Sequence, residues 1–299
     1  MSFDELRALL AKHVRPDETT AIAGLYIAQV HRSGPPETQM SGTVLAVLAQ
    51  GAKRLAVGEE VFEYRPGDYL VTSLDLPVTG SFVGASRETP ALGLALVLDP
   101  VTIADLLLAA GAGELPRRQR RTVPAVAVGK LTAELLDALV RLVRLLDHPG
   151  DRAVLAPLVT REILWRLIVG EQGEAVQQLG LAESGLHHIG RAVRWIREHY
   201  DEPFRVDDLA RLSGMSSSAF YRNFQIVTAQ SPLQFQKNIR LQHARLLLAS
   251  NSRDVTGVAH RVGYDSASQF SREYRRLFGE PPSREAKRAF ASSSPDLPA

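Results

Sequence analysis

The last hundred residues of the chain repeat themselves, and no other feature limits its fold so tightly. Leu209-Ala210-Arg211-Leu212-Ser213-Gly214 aligns with Val258-Ala259-His260-Arg261-Val262-Gly263. A short polar turn follows each block, then Phe220-Tyr221-Arg222-Asn223-Phe224 in one copy and Phe270-Ser271-Arg272-Glu273-Tyr274 in the other. The alanines stand 49 residues apart and the aromatic blocks 50 apart. A helix-turn-helix accounts for these choices. Two helices that cross closely need a small residue at the contact, which Ala210 and Ala259 supply. The sharp turn needs a residue that tolerates positive φ, so Gly214 and Gly263 end the first helix of each pair. Ser216 and Asp265-Ser266 offer caps for the second helix.

The second helix of each pair is where chemistry is expected. Phe220/Phe224 and Phe270/Tyr274, four apart, bury one face. That turns Ser217, Ser218, Tyr221 and Arg222 outward in the first unit, and Ala267, Ser268, Ser271 and Arg272 in the second, with Gln269 beside them. A helix presented this way fits the major groove of duplex DNA, its N-terminal half at the base edges. Between the units, Pro232–Ala249 reads as one long helix with Pro232 in its first turn. A rigid connector would set the spacing of two reading heads, and facing one side of a duplex requires about 34 Å. Ahead of the pair, Ile189, Ala192, Val193 and Ile196 mark an amphipathic helix that stops at Asp201-Glu202-Pro203, and Gly279 with Pro281-Pro282 closes the last helix. Arg191, Arg194, Lys237, Arg240 and Arg245 read as phosphate contacts or as solubilising charges.

Charge agrees with this division. Residues 188–290 hold 17 Lys/Arg against 10 Asp/Glu, whereas residues 1–187 hold 18 against 22, within a whole-chain balance of +2. Only the basic part suits a polyanion.

The first half reads differently. Leu25–Val30, Lys53–Val57 and Val61–Tyr64 are short, β-branched or aromatic runs bounded by turn residues. Gly58-Glu59 reads as a hairpin turn and Arg65-Pro66-Gly67-Asp68 as a second turn. Val44–Ala49 and Ala91–Leu98 fit buried strands. Evenly spaced short strands point to a small barrel or sandwich. From about residue 100 the period becomes helical, with candidates at Val101–Ala110, along Leu131, Leu135, Leu139, Leu142, Val143 and Leu146, and over Arg152–Val169 with Leu155, Leu158, Val159, Ile163 and Leu167. Both later stripes suit either the core or a partner subunit. Gly170–Ser184, rich in Gly, Gln and Glu, reads as a linker region.

At this point the resemblance is specific. Residues 188–290 resemble the DNA-binding domain of the AraC/XylS family of bacterial transcription regulators, carried above all by Gly263-Tyr264-Asp265-Ser266-Ala267-Ser268-Gln269-Phe270-Ser271-Arg272-Glu273-Tyr274-Arg275-Arg276-Leu277-Phe278-Gly279-Glu280-Pro281-Pro282. The first half is similar to the cupin-like sensor domain found in one branch of that family, through Ala49–Arg54, Tyr64–Val71 and Ser73–Val78. The resemblance implies an α+β chain in which an N-terminal cupin-like β-barrel with flanking helices precedes an all-α domain of two helix-turn-helix units. The implied layout is a sensor and dimerisation domain over 1–180, a linker at 181–187, the DNA-binding domain at 188–290 and a disordered tail at 291–299. It implies helices at 206–214, 217–228, 255–262 and 266–278, with Arg222 and Arg272 where family members contact DNA. It also implies a cytoplasmic homodimeric activator whose partners are double-stranded promoter DNA, RNA polymerase and a small-molecule effector.

Three positions depart from the family pattern. Ala229 stands where the family usually has glycine in Thr228-Ala229-Gln230-Ser231-Pro232, Gly257 falls inside a helix, and Ser216-Ser217-Ser218 offers few long side chains for base reading. Tyr26, Gln29, His31, Tyr64, Tyr69 and Asp75, near the predicted strands, are the candidates to line an effector cavity, each of which ordinary strand packing would equally explain. A filled barrel serving dimerisation alone is the alternative reading.

Other function classes fare poorly. The chain has no cysteine, which excludes disulfides, thiolate metal sites and cysteine nucleophiles. A cupin-type enzyme would need two or three histidines and a carboxylate converging on one metal. The sequence has no H-x-H pair, and Tyr69-Leu70 stand after Pro66-Gly67-Asp68 where a ligand would be sought. There is no Gly-x-Ser-x-Gly elbow and no phosphate-binding loop. Neither a cofactor nor a metal is expected, and the chain reads as a non-enzyme. No apolar run reaches the ~18 residues of a membrane helix, and Met1-Ser2-Phe3-Asp4-Glu5 lacks the order of a secretory signal.

Overall fold

The computed structural model describes residues 2–110, 115, 123–181, 185–250 and 254–286. They fall into two compact units, the first built mainly on Met40–His188 and the second mainly on Ile189–Gln225 and the residues from Gln230 onward. The class is α+β, as expected.

In the first unit, helix α1 (Phe3–His13) precedes strands β1 (Leu25–Val30), β2 (Glu37–Met40), β3 (Val44–Gln50), β4 (Ala52–Val57), β5 (Glu60–Tyr64), β6 (Asp68–Thr72), β7 (Pro77–Val83) and β8 (Ala91–Val97). Helix α2 (Pro100–Ala109), strand β9 (Val126–Lys130), and helices α3 (Ala133–Arg144), α4 (Pro149–Val169) and α5 (Gly173–Gln177) complete it. The strands form two sheets, ordered β1-β8-β3-β6-β9 and β2-β7-β4-β5. They are open sheets and not a closed barrel. The chain changes sheet between β3 and β4 at Gly51, whose φ is +85° and where a Cβ would stand 2.8 Å from that of Ala91. A bulge between Leu48 and Gln50 bends β3 just before this point. The two expected turns form as read. Gly58 (φ +59°) joins β4 to β5, with Val57 opposite Glu60. At the second, Gly67 takes φ +99° and the Asp68 N–H donates to the Arg65 carbonyl at 2.9 Å.

The apolar runs Val44–Ala49 and Ala91–Leu98 become β3 and β8 at the centre of the larger sheet. Leu45, Val47, Leu92, Leu94 and Leu96 are buried there with Leu6 and Leu10 of α1, Leu139 and Val143 of α3, and Ile163 and Leu167 of α4. Helix α3 is capped by Thr132, which accepts from the Leu135 N–H. Helix α4 begins earlier than its stripe suggested, because Pro149 suits a first turn. It also runs through Pro157, and Leu155 and Leu158 are 41% and 59% exposed instead of packed. The expected linker region is partly structured: Ala175 and Val176 of α5 are buried. The tail at 291–299 lies outside the described residues.

The second unit is helical: α6 (Gly185–Glu198), α7 (Val206–Leu212), α8 (Ser217–Thr228), α9 (Pro232–Ala249), α10 (Val255–Arg261) and α11 (Ala267–Phe278). At 18 residues, α9 is about 27 Å long, on the scale of one duplex turn. Among the described residues no helix is long and apolar enough to cross a membrane.

Candidate nucleic-acid interface

The repeat in the sequence is a repeat in the backbone. Ala210 and Ala259 are fully buried at the helix crossings. Gly214 and Gly263 adopt φ of +65° and +84°. In each turn the next residue ties back to the alanine carbonyl: the Met215 N–H donates to Ala210 at 2.9 Å, and the Tyr264 N–H donates to Ala259 at 3.0 Å. The second helices are capped as read, Ser216 accepting from the Ala219 N–H at 3.4 Å and Ser266 from the Gln269 N–H at 3.3 Å. Buried aromatics anchor both. Phe220 and Phe224 pack 5.5 Å apart, with Phe235 of α9 edge-on to Phe224. Phe270 and Tyr274 form the matching pair, also at 5.5 Å, over Leu241, Ala244 and Leu248 of α9.

This packing leaves the opposite faces of α8 and α11 outward. Ser217, Ser218, Tyr221 and Arg222 are exposed on α8, as are Ser268, Gln269 and Arg272 on α11. Ala267 and Ser271 are half-buried. Arg275 and Arg276 extend the basic face of α11 and are also exposed. Neither Arg222 nor Arg272 takes part in an ion pair among the described residues. Ser217 is less free, since its hydroxyl donates to the Asp207 carboxylate of α7 at 2.6 Å.

Three of the basic residues read as phosphate contacts or solvated charges turn out to be engaged within the protein. Arg240 donates to the carbonyls of Tyr200 (2.6 Å), Gly263 (2.6 Å), Asp201 (3.1 Å) and Glu202 (3.3 Å). It thereby ties the end of α6 to the second turn. Burial pulls its guanidinium below its ordinary pKa, an effect that Tyr264 and the nearby carboxylates oppose. Lys237 pairs with Glu273 at 2.8 Å, and Arg245 pairs with Glu285 at 3.5 Å while lying over the Phe278 ring. Arg194 stays exposed and Arg191 is half-buried. The sequence pattern could not separate these cases, because a long helix carries its charges on several faces.

A further group on α11 escaped the sequence reading. Besides Lys237, the Glu273 carboxylate accepts from the Tyr264 hydroxyl at 2.8 Å and from Nε2 of Gln269 at 3.1 Å. Burial opposes its ionisation, but these bonds and the Lys237 charge prevail and hold its pKa below the ordinary value. Tyr264 shifts upward, through burial and then through its bond to Glu273. The four-residue spacing of Gln269 and Glu273 was the available signal.

The family description "AraC-type transcriptional regulator N-terminus" matches residues 21–175, and "Helix-turn-helix domain" matches residues 209–288. The chain belongs to the AraC family of transcriptional regulators. Among curated relatives, the virulence regulon transcriptional activator VirF of Yersinia enterocolitica is 27% identical over 172 residues, 56% of this chain and 61% of VirF. ExsA of Pseudomonas aeruginosa is 29% identical over 46% of this chain and 48% of its own length. The match thus spans about half of ExsA and about three fifths of VirF. The regulatory protein SoxS of Salmonella typhimurium is 36% identical over 95 residues, 32% of this chain and 89% of SoxS. In fold, the chain is similar to ToxT of Vibrio cholerae, with a TM-score of 0.55, 10% identity and coverage of 88% of this chain and 98% of ToxT.

Against the AraC-family pattern, the structure gives two of the departures a physical form. Ala229 adopts φ +56°, one of two non-glycine residues with positive φ among those described. Gly257 lies in the first turn of α10, and its N–H donates to the Asp254 cap at 2.8 Å.

The residues suggested for an effector differ in their surroundings. Tyr26 and His31 are exposed, Gln29 and Asp75 half-buried, Tyr64 and Tyr69 buried. The Tyr69 hydroxyl accepts from the Gln172 N–H at 3.4 Å, and Asp75 accepts from the Gly42 N–H at 2.8 Å. Burial raises the pKa of both buried tyrosines. A cavity of about 580 Å³ lies elsewhere in the first unit, lined by Ile22, Thr102, Ala156 and Thr160, with Arg152 and Arg161 among its walls. None of the six suggested residues lines it. The sequence could not locate it because it forms where the segment after residue 20 meets α2 and α4, far apart in the chain. Among the described residues no cluster of three His, Asp or Glu could hold a metal.

Proposed function

We propose that this chain is a sequence-specific activator of transcription that reads promoter DNA with α8 and α11 and engages RNA polymerase. One observation carries the reading: two backbone-equivalent helices present Arg222 and Arg272 to solvent, each on a face opposite a buried aromatic pair. An exposed arginine on the first turns of such a helix, in no ion pair among the described residues, is suited to bidentate contact with guanine. The name of VirF supports activation. The test is selection of duplexes from a randomised library by the full-length chain, followed by binding at several salt concentrations. Enrichment of one motif with two recognition segments about one helical turn apart is expected. Failure to enrich any duplex, with equal affinity for all, would refute the proposal.

The first unit is proposed to sense a small anionic amphipath. ToxT has been solved with an unsaturated fatty acid bound, and the cavity described above combines apolar walls with Arg152 and Arg161. Thermal unfolding in the presence of fatty acids of varied length tests this: binding raises the melting temperature by mass action, and Arg152→Ala with Arg161→Ala abolishes the rise. Homodimerisation is proposed through α4, whose Val154, Leu155 and Leu158 remain exposed. Leu158→Arg is expected to shift the sedimenting species to monomer.

A further inference from the structure

Gln269 stands on the third residue of α11, where a side chain reaches the base edges in a helix docked by its N-terminal half. Its terminal amide can be turned either way, and the two orientations present different patterns to DNA. We infer that Glu273 is a positioning residue that locks the Gln269 amide in the orientation that reads adenine and rejects guanine. The inference rests on the DNA-reading role proposed above.

The geometry is specific. Glu273 Oε1 accepts from Gln269 Nε2 at 3.1 Å and from Lys237 Nζ at 2.8 Å. Its Oε2 accepts from the Tyr264 hydroxyl at 2.8 Å. Tyr264 is itself buried and belongs to the turn between α10 and α11, while Lys237 belongs to α9. The carboxylate is therefore held from the connector helix and from the turn before it meets Gln269. A carboxylate so placed has only acceptors to offer. Turning the amide over would set Gln269 Oε1 against a carboxylate oxygen, lone pair against lone pair, so Nε2 must face Glu273. One of the two Nε2 hydrogens is then committed. What remains for the groove is the second N–H and the carbonyl oxygen, one donor beside one acceptor. Adenine presents the complement, an N7 acceptor beside an N6 donor, whereas guanine presents two acceptors. A free amide could donate both hydrogens to guanine. The locked one has only a single hydrogen to give.

The first unit lacks this device. At the same offset of 50 residues, Ala219 stands for Gln269 and Asn223 for Glu273, and Asn223 Nδ2 instead approaches Met215 Sδ at 3.6 Å. The first recognition segment thus serves as an internal control.

The experiment uses the full-length chain and the duplex it selects from a randomised library. Each base pair is replaced in turn and affinities are measured at fixed salt, with melting temperatures recorded for every variant. Gln269→Ala is expected to flatten the preference at one position. Glu273→Gln is expected to lower adenine-over-guanine discrimination there by about tenfold, leaving random-duplex affinity and the other segment unchanged at temperatures well below its own melting point. Added to Gln269→Ala, it should do nothing further. Where Glu273→Gln does not fold, Glu273→Asp, which draws the carboxylate back by one methylene, is expected to produce the same fall. Intact discrimination in these Glu273 variants alongside a flattened Gln269→Ala profile overturns the role of Glu273 while leaving DNA reading by Gln269 in place. Uniform weakening at every position does so too. A Gln269→Ala profile without change, or a library from which nothing is enriched, overturns the role of Glu273 together with the reading beneath it.

Discussion

Laid over one another at an offset of 49 or 50 residues, the two helix-turn-helix units agree in backbone and differ in side-chain support. Gly214 and Gly263 take the same left-handed turn, and the residue after each closes the same hydrogen bond. Around that shared path, bonds among the described residues brace the second unit with buried and half-buried groups. Arg240 reaches four carbonyls beside its turn, and Glu273 collects three donors beneath its reading face. Near the first turn, the ion pairs of Arg211 with Asp208 and Arg205 with Asp207 lie among exposed side chains, where such pairs contribute little. A repeat therefore constrains main-chain geometry more strictly than it constrains what holds that geometry in place.

The sharpest way to break this comparison is at the two turn glycines. A Cβ on Gly263 would stand 2.3 Å from the Asp201 carbonyl oxygen and 2.8 Å from Arg240 Cζ, whereas one on Gly214 would meet nothing closer than 3.8 Å. Both replacements bear the cost of a left-handed alanine, about 1 kcal/mol. Only Gly263→Ala must also displace backbone and disturb the Arg240 bridge, adding roughly 2–4 kcal/mol. Denaturant unfolding of the two variants should show that difference, and equal losses would remove the claim that the second turn is the braced one.

Next in size come the arginines. Arg272→Ala and Arg222→Ala are each expected to weaken binding to the selected duplex by about 1–3 kcal/mol, each relaxing preference in its own segment. Binding measured against salt decides the alternative: an equal loss on random duplex with a salt slope reduced by about one identifies a phosphate contact instead. Arg240→Met should do neither. Its loss is expected in unfolding, because its donors are already spent on carbonyls.

A smaller effect lies where each unit ends. Thr228-Ala229-Gln230-Ser231-Pro232 corresponds to Phe278-Gly279-Glu280-Pro281-Pro282, and both second residues are left-handed, Ala229 at φ +56° and Gly279 at φ +80°. The first unit thus holds an alanine where its twin uses glycine. Ala229→Gly relieves roughly 1–2 kcal/mol of strain and returns part of it through the looser unfolded chain. A net gain of about 0.5–1 kcal/mol in thermal unfolding is expected. Gly279→Ala should lose a comparable amount.

How much of this was legible in the sequence follows from how local the causes are. The turn glycines, crossing alanines, aromatic anchors and serine caps are all decided within a dozen residues, and each was readable from the repeat. So were most of the outward residues on α8 and α11, since a buried pair four apart fixes the opposite face, although Ala267 and Ser271 are half-buried. The fate of Lys237, Arg240 and Arg245 was not readable, because their partners Glu273, Gly263 and Glu285 lie more than twenty residues away. The N-terminal strands were found one by one, yet their division into two open sheets depends on long-range pairing and on the bend at Gly51. Leu155 and Leu158 fitted a helical stripe whose period could not say which side would be covered.

The finest test concerns how each unit begins. The residue before α7 is Arg205, which makes no side-chain cap, and its counterpart before α10 is Asp254, which accepts from the Gly257 N–H at 2.8 Å. A glycine inside a helix ordinarily costs about 1 kcal/mol of propensity relative to alanine. In the structure a Cβ at that position would lie 2.2 Å from Asp254 Oδ2, so the glycine makes room for the cap. Gly257→Ala then gains propensity and disturbs a cap worth about 0.5–2 kcal/mol, and the two effects oppose each other. A change within about 0.5 kcal/mol is expected in the wild-type background. The same substitution combined with Asp254→Ala should show the full propensity gain, because no cap remains to be displaced. If Gly257→Ala stabilised both backgrounds equally, the cap and the glycine would be independent, and the second unit's entry would be no better supported than the first.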